Sequence, residues 1–334
     1  MSGHRVSIVG VTGAVGQVML ECLEQRNFPV GELCPLASSR SAGKKVTFKG
    51  QELTIQDLEK HEFQKGEIVL SSAGASVTRT FRERAIASGA IIVDNTSAFR
   101  MEEGVPLVIP EVNGDKVATH SGLIANPNCC AAILTVALWP LYKLSRIKRL
   151  VISTYQSASG AGAAAMADLV SQCGEVLEGK TPAPKAMPHQ LAFNVYSHNA
   201  AIEANGYNGE ENKVVAETRK IFNDPEIGIA ITCVRVPVLR AHSEAVNIEF
   251  ENPVSVEEAR EAIRSSPGVR LVDDREKNYF PMPLDASGID EVLVGRIRSD
   301  ISRTDGRGLE IFISGDQLRK GAALNAVQIA EQLV

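Results

Sequence analysis

The 334-residue chain has no apolar run long enough to cross a bilayer, no surplus of basic charge, no cysteine pair at CxxC spacing and no internal repeat or low-complexity tract. Each absence removes a class of function. A membrane helix needs about 20 consecutive apolar residues. The formal net charge is -5, whereas a nucleic-acid surface requires a basic face or stripe. The six cysteines, Cys22, Cys34, Cys129, Cys130, Cys173 and Cys233, are too sparse for a disulfide framework and wrongly spaced for structural zinc, so a reducing compartment and no metal are expected. The opening residues run into a short apolar segment broken by Gly10 and Gly13, which lacks a secretory core, and the expected location is the cytoplasm. A length of 334 residues is long for one domain and predicts two domains sharing a cleft.

What is present at the front of the chain is an α/β pattern. Residues 5–9 read as a buried strand and residues 15–25 have the apolar spacing of a helix. Between them lies Gly10-Val11-Thr12-Gly13-Ala14-Val15-Gly16, a G-x-x-G-x-x-G pattern whose glycines let the backbone turn tightly and approach a pyrophosphate resting on the helix amides. The next strand, residues 33–37, ends in Ser38-Ser39-Arg40-Ser41-Ala42-Gly43. An NAD site usually carries an acidic residue here for the ribose hydroxyls; Arg40 with Ser38 and Ser41 suits a 2′-phosphate, so NADP is the expected cofactor. Strand candidates at 67–71 and 90–94 flank a helix at 77–88, which predicts a doubly wound, mostly parallel sheet. The exit of the last strand carries Arg100, whose planar fork suits a phosphate or carboxylate.

Farther along, the stiff turn Ala125-Asn126-Pro127-Asn128 delivers Cys129 to the start of an apolar helix. A thiol there gains thiolate character from the helix dipole, so Cys129 is a nucleophile candidate; taken alone, it is equally a small buried residue. A β-rich run at 149–155 ends in Gln156-Ser157-Ala158-Ser159-Gly160-Ala161-Gly162, a loop able to approach a ligand closely, or a helix entry with Ser159 capping residues 161–177. Glu210 and Lys213 share one face of a helix running to Lys220, as an ordinary surface pair also would. Arg235 lies in the apolar β-like run 230–238 and needs an anion from the protein or from a ligand. His242, in a polar turn before a strand at 245–251, is the acid/base candidate, because imidazole changes charge near neutral pH.

Taken together, residues 10–16, 38–43, 94–100, 126–129, 156–162, 210–220, 234–246 and 315–328 closely resemble the aspartate-β-semialdehyde dehydrogenase family from end to end. The resemblance implies that Cys129 forms an acyl-thioester and His242 is the acid/base residue. It implies that Gln156 and Arg235 hold the substrate, Arg235 by the α-carboxylate, that Glu210 meets the substrate amine, and that Arg100 and Lys213 bind phosphate. Thr12, Gly13, Ala14, Val15, Arg40, Ser41, Ser159, Gly160 and Gln317 would touch NADP. The reaction implied is NADPH-dependent reduction of L-aspartyl 4-phosphate, on the way to lysine and diaminopimelate, threonine and methionine, by a homodimer. Cys130 departs from the family, which commonly has Ser or Thr after the nucleophile. Successive helix residues point about 100° apart, which gives the chemistry to Cys129 and packing to Cys130.

Ser255-Val256-Glu257-Glu258 is a capping-box start for a helix to about Arg264, and strands at 292–298 and 309–314 join through Asp305-Gly306. The expected architecture is a Rossmann-like nucleotide-binding domain at 1–127, completed by a C-terminal helix at 318–334, plus an α+β catalytic and dimerisation domain at 128–317 with a mixed or antiparallel sheet. N-acetyl-γ-glutamyl-phosphate reductase shares the chemistry, but its usual Gly-Cys-Tyr-Pro context does not fit Asn128-Cys129-Cys130-Ala131. A non-catalytic dinucleotide-binding relative would have no need of Cys129, Gln156, Arg235 and His242 together.

Overall fold

The computed structural model describes residues 3–334, which fall into two compact units. One comprises the chain up to Asn128 together with Ala322–Val334, and the other is Cys129–Gly321.

The first unit begins with β1 (His4–Val9), α1 (Ala14–Gln25) and β2 (Val30–Ala37), followed by a small hairpin of β3 (Lys45–Phe48) and β4 (Gln51–Thr54) and the short β5 (Gln56–Asp57). Then come β6 (Ile68–Ser71), α2 (Ala75–Ser88), β7 (Ile91–Asp94), the one-turn α3 (Pro110–Asn113) and β8 (Leu123–Ala125). Six of these strands form one parallel sheet in the order β5-β2-β1-β6-β7-β8. Val6, Ser7, Ile8 and Val9 are all fully buried, as expected of a parallel strand covered on both faces. The chain order reverses between β1 and β6, and in such sheets ligands bind outside the carboxyl ends at that switch.

The second unit contains α4 (Cys129–Leu144), β9 (Ile147–Gln156), α5 (Ala163–Leu177), β10 (Tyr196–Ser197), α6 (Gly209–Phe222), β11 (Gly228–Arg235), β12 (His242–Phe250), α7 (Val256–Arg264), β13 (Val269–Leu271), α8 (Pro283–Ala286), β14 (Val292–Ser299) and β15 (Gly308–Gly315). Its seven-stranded sheet is mixed, in the order β10-β11-β9-β12-β15-β14-β13. α4 is apolar on nearly every side and correspondingly buried, packed against α6, α7, β14 and β15. Its far end is tied to α6 by Asp224, which accepts from Tyr142 Oη at 2.8 Å and from Arg146 Nε and Nη2 at 2.7 and 2.8 Å. α6 and α7 both open with capping boxes, Asn208 with Glu211 and Ser255 with Glu258.

Three expectations are corrected. The strand read at 230–238 ends at Arg235, because Pro237 has no N–H to extend the ladder. The helix after Gly160 begins at Ala163 behind Gly162 (φ 94°) rather than under a Ser159 cap, since Ala158–Ala161 form a 3₁₀ turn. The last helix is not continuous α: a π turn at Arg319–Ala323 precedes α9 (Leu324–Glu331), which packs on α1, α3, β6 and β7 of the first unit. Among the described residues no helix is long and apolar enough to cross a membrane.

Candidate active site

The glycine-rich turn of the first unit is tight and closely packed. Gly10 has φ 87°, and Gly16 lets α1 sit so close to the turn that a Cβ there would lie 2.7 Å from Val11 Cα. The result is a cavity of about 870 Å³ at the β1/β6 switch, lined by Gly10, Thr12, Gly13, Ser38, Arg40, Ser72, Ala73, Ser76 and Arg84 among others. Its two cations differ. Arg84 is committed to the backbone carbonyls of Leu58, Glu59 and His61, whereas Arg40 is exposed at the exit of β2. The glycine turn and the helix amides beside the cavity suit a dinucleotide, and Arg40 suits a phosphate. Ala14, Val15 and Ser41 lie on the same turns, outside the cavity wall. Arg100, in this unit, is buried and braces a loop by donating to Asn126 O at 2.9 Å and Asn95 O at 2.8 Å.

In the second unit α4 starts at Cys129, placing the half-buried thiol at the positive end of the helix dipole. The Cys130 thiol donates to it, and together with His242 holds Cys129 well below the ordinary cysteine value against the opposing effect of burial. Cys130, fully buried, is pushed well above its ordinary value by that same contact and by burial. The two sulfurs and a ring nitrogen of His242 lie within 4.8 Å of one another. His242 is not in a turn, as its polar neighbours predict, but is the first residue of β12, paired with Gly315. The preceding Ala241 supplies the bend with φ 70°, a left-handed conformation that costs a non-glycine residue on the order of 1–3 kcal/mol. Its N–H is held by Gln317 Oε1 at 2.9 Å.

His242 Nδ1 accepts from the Ser157 backbone N–H at 3.0 Å. That bond favours the neutral tautomer with its proton on Nε2. A metal-bound imidazole almost always donates its second N–H, so this donor set does not suit a metal at Nε2 despite the clustering of two thiols and an imidazole.

Arg235 and Gln156 are paired neighbours at the ends of the parallel strands β11 and β9. Arg235 is 5% exposed; its Nη1 donates to Ser157 O at 3.2 Å, Nη2 lies 2.7 Å from His198 Nε2, and its Nε has no partner among the described residues. No carboxylate pairs with it among those residues. A buried guanidinium so placed is suited to receive an incoming anion. Burial, and then the Arg235 charge, push His198 down to about 4, so it meets Arg235 as a neutral acceptor. Gln156 donates to Glu210 Oε1 at 3.3 Å, and Glu210 Oε2 lies 3.6 Å from Lys213 Nζ. The Asn208 cap fixes the start of α6 and thereby aims Glu210 at Gln156. Ser159 and Gly160 form the 3₁₀ turn beside His242, and a Cβ on Gly160 would lie 3.0 Å from His242 Cε1 and 3.4 Å from Arg235 Nη1.

The structure thus gathers Cys129, Gln156, Glu210, Lys213, Arg235, His242, Ser159, Gly160 and Gln317 within one unit. Sequence reasoning missed three neighbours. His198 has no local signal, Ser157 reads only as part of the loop at 156–162, and Glu244 only as part of the polar turn at 240–244. Glu244 lies two residues past His242 on the same strand face, is fully buried, and has no hydrogen-bond partner on either oxygen among the described residues. Burial, and then the charge of Cys129, hold its carboxyl well above the usual range.

Two family models match the chain, the semialdehyde dehydrogenase NAD binding domain over residues 5–120 and the semialdehyde dehydrogenase dimerisation domain over residues 138–320. It is 56% identical to the aspartate-semialdehyde dehydrogenase of Synechocystis sp., covering 99% of this chain and 97% of that protein. It is 49% identical to that of Aquifex aeolicus, covering 99% and 98%. A crystal structure of aspartate semialdehyde dehydrogenase II from Vibrio cholerae, complexed with ASA, superposes with a TM-score of 0.96 at 42% identity, over 100% of this chain and 98% of that one. The chain belongs to the aspartate-semialdehyde dehydrogenase family, oxidoreductases of amino-acid biosynthesis built from a nucleotide-binding domain and a dimerisation domain.

Proposed function

We propose that the chain reduces L-aspartyl 4-phosphate to L-aspartate 4-semialdehyde and phosphate with NADPH, through an acyl-thioester on Cys129, in the pathways to lysine and diaminopimelate, threonine and methionine. The observation that carries this reading is the buried Arg235 guanidinium, free of any carboxylate among the described residues, beside Gly160 as is His242, the neighbour of Cys129. That pairing of an anion receptor with a low-pKa thiol suits a substrate with a carboxylate at one end and an acyl phosphate at the other. The Vibrio cholerae structure complexed with ASA supports the same substrate class.

In the forward direction the Cys129 thiolate attacks the acyl carbon; a C–S bond forms, the C–O bond to phosphorus breaks, and phosphate leaves beside Arg100 and Lys213. NADPH, when bound, supplies the hydride that turns the thioester into a thiohemiacetal. His242 lends its Nε2 proton to the oxygen of that intermediate and takes it back as the C–S bond breaks to release aldehyde and thiolate, or gives it to the departing sulfur, which then leaves as the Cys129 thiol. Arg235 and Gln156 orient the substrate, and Glu210 meets its amine. Gly10, Thr12, Gly13, Ala14, Val15 and Gly16 cradle the pyrophosphate, and Ser38, Arg40 and Ser41 favour the 2′-phosphate of NADP over NAD. Ser159 and Gly160 touch the cofactor; Gln317, whose amide ends are both bonded, contributes through Ser159. We also read the protein as a cytoplasmic homodimer associating through the second unit, where the sheet face carrying Tyr155 and Phe312 is less buried than the helix-covered face.

The test is reduction of NADP by purified protein with L-aspartate semialdehyde, with and without phosphate, beside Cys129→Ser. Phosphate-dependent activity that the variant lacks is the expected result. Activity confined to N-acetylated glutamate semialdehyde, or none from folded protein that binds NADP, would overturn the substrate reading.

A further inference from the structure

Acid/base chemistry at His242 Nε2 poses a problem that the resting geometry does not solve. To take a proton from the Cys129 thiol, Nε2 must be bare, and a neutral ring with bare Nε2 carries its proton on Nδ1. The imidazolium that follows also carries a proton on Nδ1. Yet the Ser157 backbone N–H points at Nδ1 from 3.0 Å and can only donate. An N–H on Nδ1 needs an acceptor, and no carboxylate bonds to that nitrogen among the described residues.

One group at the site can reverse its role. Ser157 Oγ lies 3.1 Å from Nδ1 and is able either to donate to it or to accept from it. Ser157 Oγ in turn lies 3.0 Å from Ser159 Oγ, and Ser159 Oγ accepts from Gln317 Nε2. The orientation of the Gln317 amide is fixed, because its Oε1 accepts from the Ala241 N–H. Ser157 and His242 are fully buried, and Ser159 and Gln317 are each 2% exposed, so bulk water does not compete for these bonds. The same Gln317 therefore pins the strained residue before His242 and the hydroxyl pair behind its ring.

We propose that Ser157 is the positioning residue that lets His242 act as acid and base, its hydroxyl accepting the Nδ1–H that proton exchange at Nε2 requires. The proposal rests on the reading of His242 given above. With Nε2 protonated and Nδ1 bare, Ser157 N–H and O–H both face the lone pair. With Nδ1 protonated, the bond from the Ser157 N–H is given up, Nδ1–H donates to Ser157 Oγ instead, and the Ser157 O–H turns to Ser159 Oγ, which has two lone pairs for it and for Gln317. The Nδ1 proton is taken up from solvent when the resting ring becomes imidazolium and stays on Nδ1 through turnover; the serine pair gives up none, and the proton exchanged in catalysis passes between Nε2 and sulfur or substrate oxygen. Ser157 fills the place that a carboxylate holds in other triads, without adding charge to a site that already contains a buried thiolate.

The titratable and charged groups acting on this cluster are Cys129 and Cys130 from α4, Arg235 from β11, His198 after β10, Glu210 and Lys213 from α6, and Glu244 from the same strand as His242. All are retained in Ser157→Ala. The experiment measures kcat, KM for L-aspartate semialdehyde and the pH dependence of kcat for wild type, Ser157→Ala and Ser159→Ala. It also follows, by peptide mass spectrometry, the rate of Cys129 alkylation by iodoacetamide against pH. The expected result is a kcat loss of about tenfold or more in Ser157→Ala with KM within about twofold, a displaced pH profile, and a smaller change of the same sign in Ser159→Ala. Alkylation needs no substrate, so a displaced alkylation profile in Ser157→Ala upholds the proposal even if the substrate reading fails. If Ser157→Ala folds poorly, Ser159→Ala must displace both profiles. Unchanged kcat and alkylation profiles, or a uniform loss of activity with both profiles in place, overturn it.

Discussion

Gly160 offers the sharpest test of how tightly His242, the proposed acid/base residue, is held. Alanine there would put a Cβ 3.0 Å from His242 Cε1 and 3.1 Å from Nε2, against the roughly 3.5–4.0 Å at which carbon atoms rest. The ring has to recede by about half an ångström. It has little freedom to do so without cost, since His242 is fully buried and its Nδ1 is bonded to Ser157. The movement changes the distance from Nε2 to Cys129. A displacement of about 1 Å can cost on the order of 10²-fold in rate, so half of that distance corresponds to roughly tenfold in kcat. Arg235 Nη1 is 3.4 Å from the same Cβ and needs little or no adjustment, so KM for the semialdehyde stays within about twofold. Gly160 does not occupy the left-handed region, and alanine gains about 0.4–1 kcal/mol from the unfolded state, which offsets part of an overpacking cost of about 1–3 kcal/mol. Steady-state kinetics beside thermal melting therefore separate the two effects. A kcat within twofold of wild type would refute the rigid placement of His242; a rise in KM for NADP with kcat intact would make Gly160 a cofactor contact alone.

Arg40→Ala should raise KM for NADP roughly tenfold or more, from loss of a charge-assisted bond worth about 1.5–3 kcal/mol, and leave KM for NAD nearly unchanged; parallel kinetics with the two cofactors decide it. Glu244→Gln should retain activity and increase stability at neutral pH. The folded-state carboxyl titrates well above the unfolded value of about 4.3, so the wild type loses stability as pH rises through that lower value, and the gain should vanish near pH 4 in denaturant titrations. Asp224→Asn should cost about 1–2 kcal/mol at neutral pH, allowing for the solvent screening of Arg146. Because Arg146 lowers Asp224 to about 2, that contribution is complete above the unfolded value of about 3.9 and disappears as pH falls through 2; an equal loss at low pH would contradict the pairing.

What was legible in the sequence follows from how local each signal is. Gly10, Gly13 and Gly16 act within one strand–turn–helix unit, so their spacing alone discloses the tight turn between β1 and α1. Cys129 is legible for the same reason, since Pro127 and the apolar run define a helix start without reference to the rest of the chain. Arg235 could be flagged because an arginine in an apolar strand demands an anion, whatever lies beside it. His242 was legible as a chemical type but misplaced: the polar run before it reads as a turn, and only pairing with Gly315, far along the chain, makes it the first residue of a strand.

The residues that escaped notice are those whose roles arise from register. Ser157 becomes a partner of His242 because β9 runs antiparallel to β12, with Ser243 opposite Tyr155, which brings the end of one strand beside the start of the other. His198 reaches Arg235 because β10 pairs with β11, and nothing in the composition of residues 190–200 announces that pairing. Glu244 carries no warning because a strand of alternating character has two faces, and a one-residue change of register would send it to the other one. The parallel β9/β11 pair ends with Gln156 beside Arg235, while antiparallel β12 starts at that same edge with His242. A mixed sheet is thus what lets Gln156, Arg235 and His242, the groups proposed to hold the substrate and exchange its proton, converge from three strands. In an all-parallel arrangement with the same sequence directions reversed for β12, its first residue would lie at the opposite edge, about a strand length away. The second unit's departure from parallel order is therefore a condition for the site, just as strict parallel order in the first unit is a condition for the cavity at its switch point.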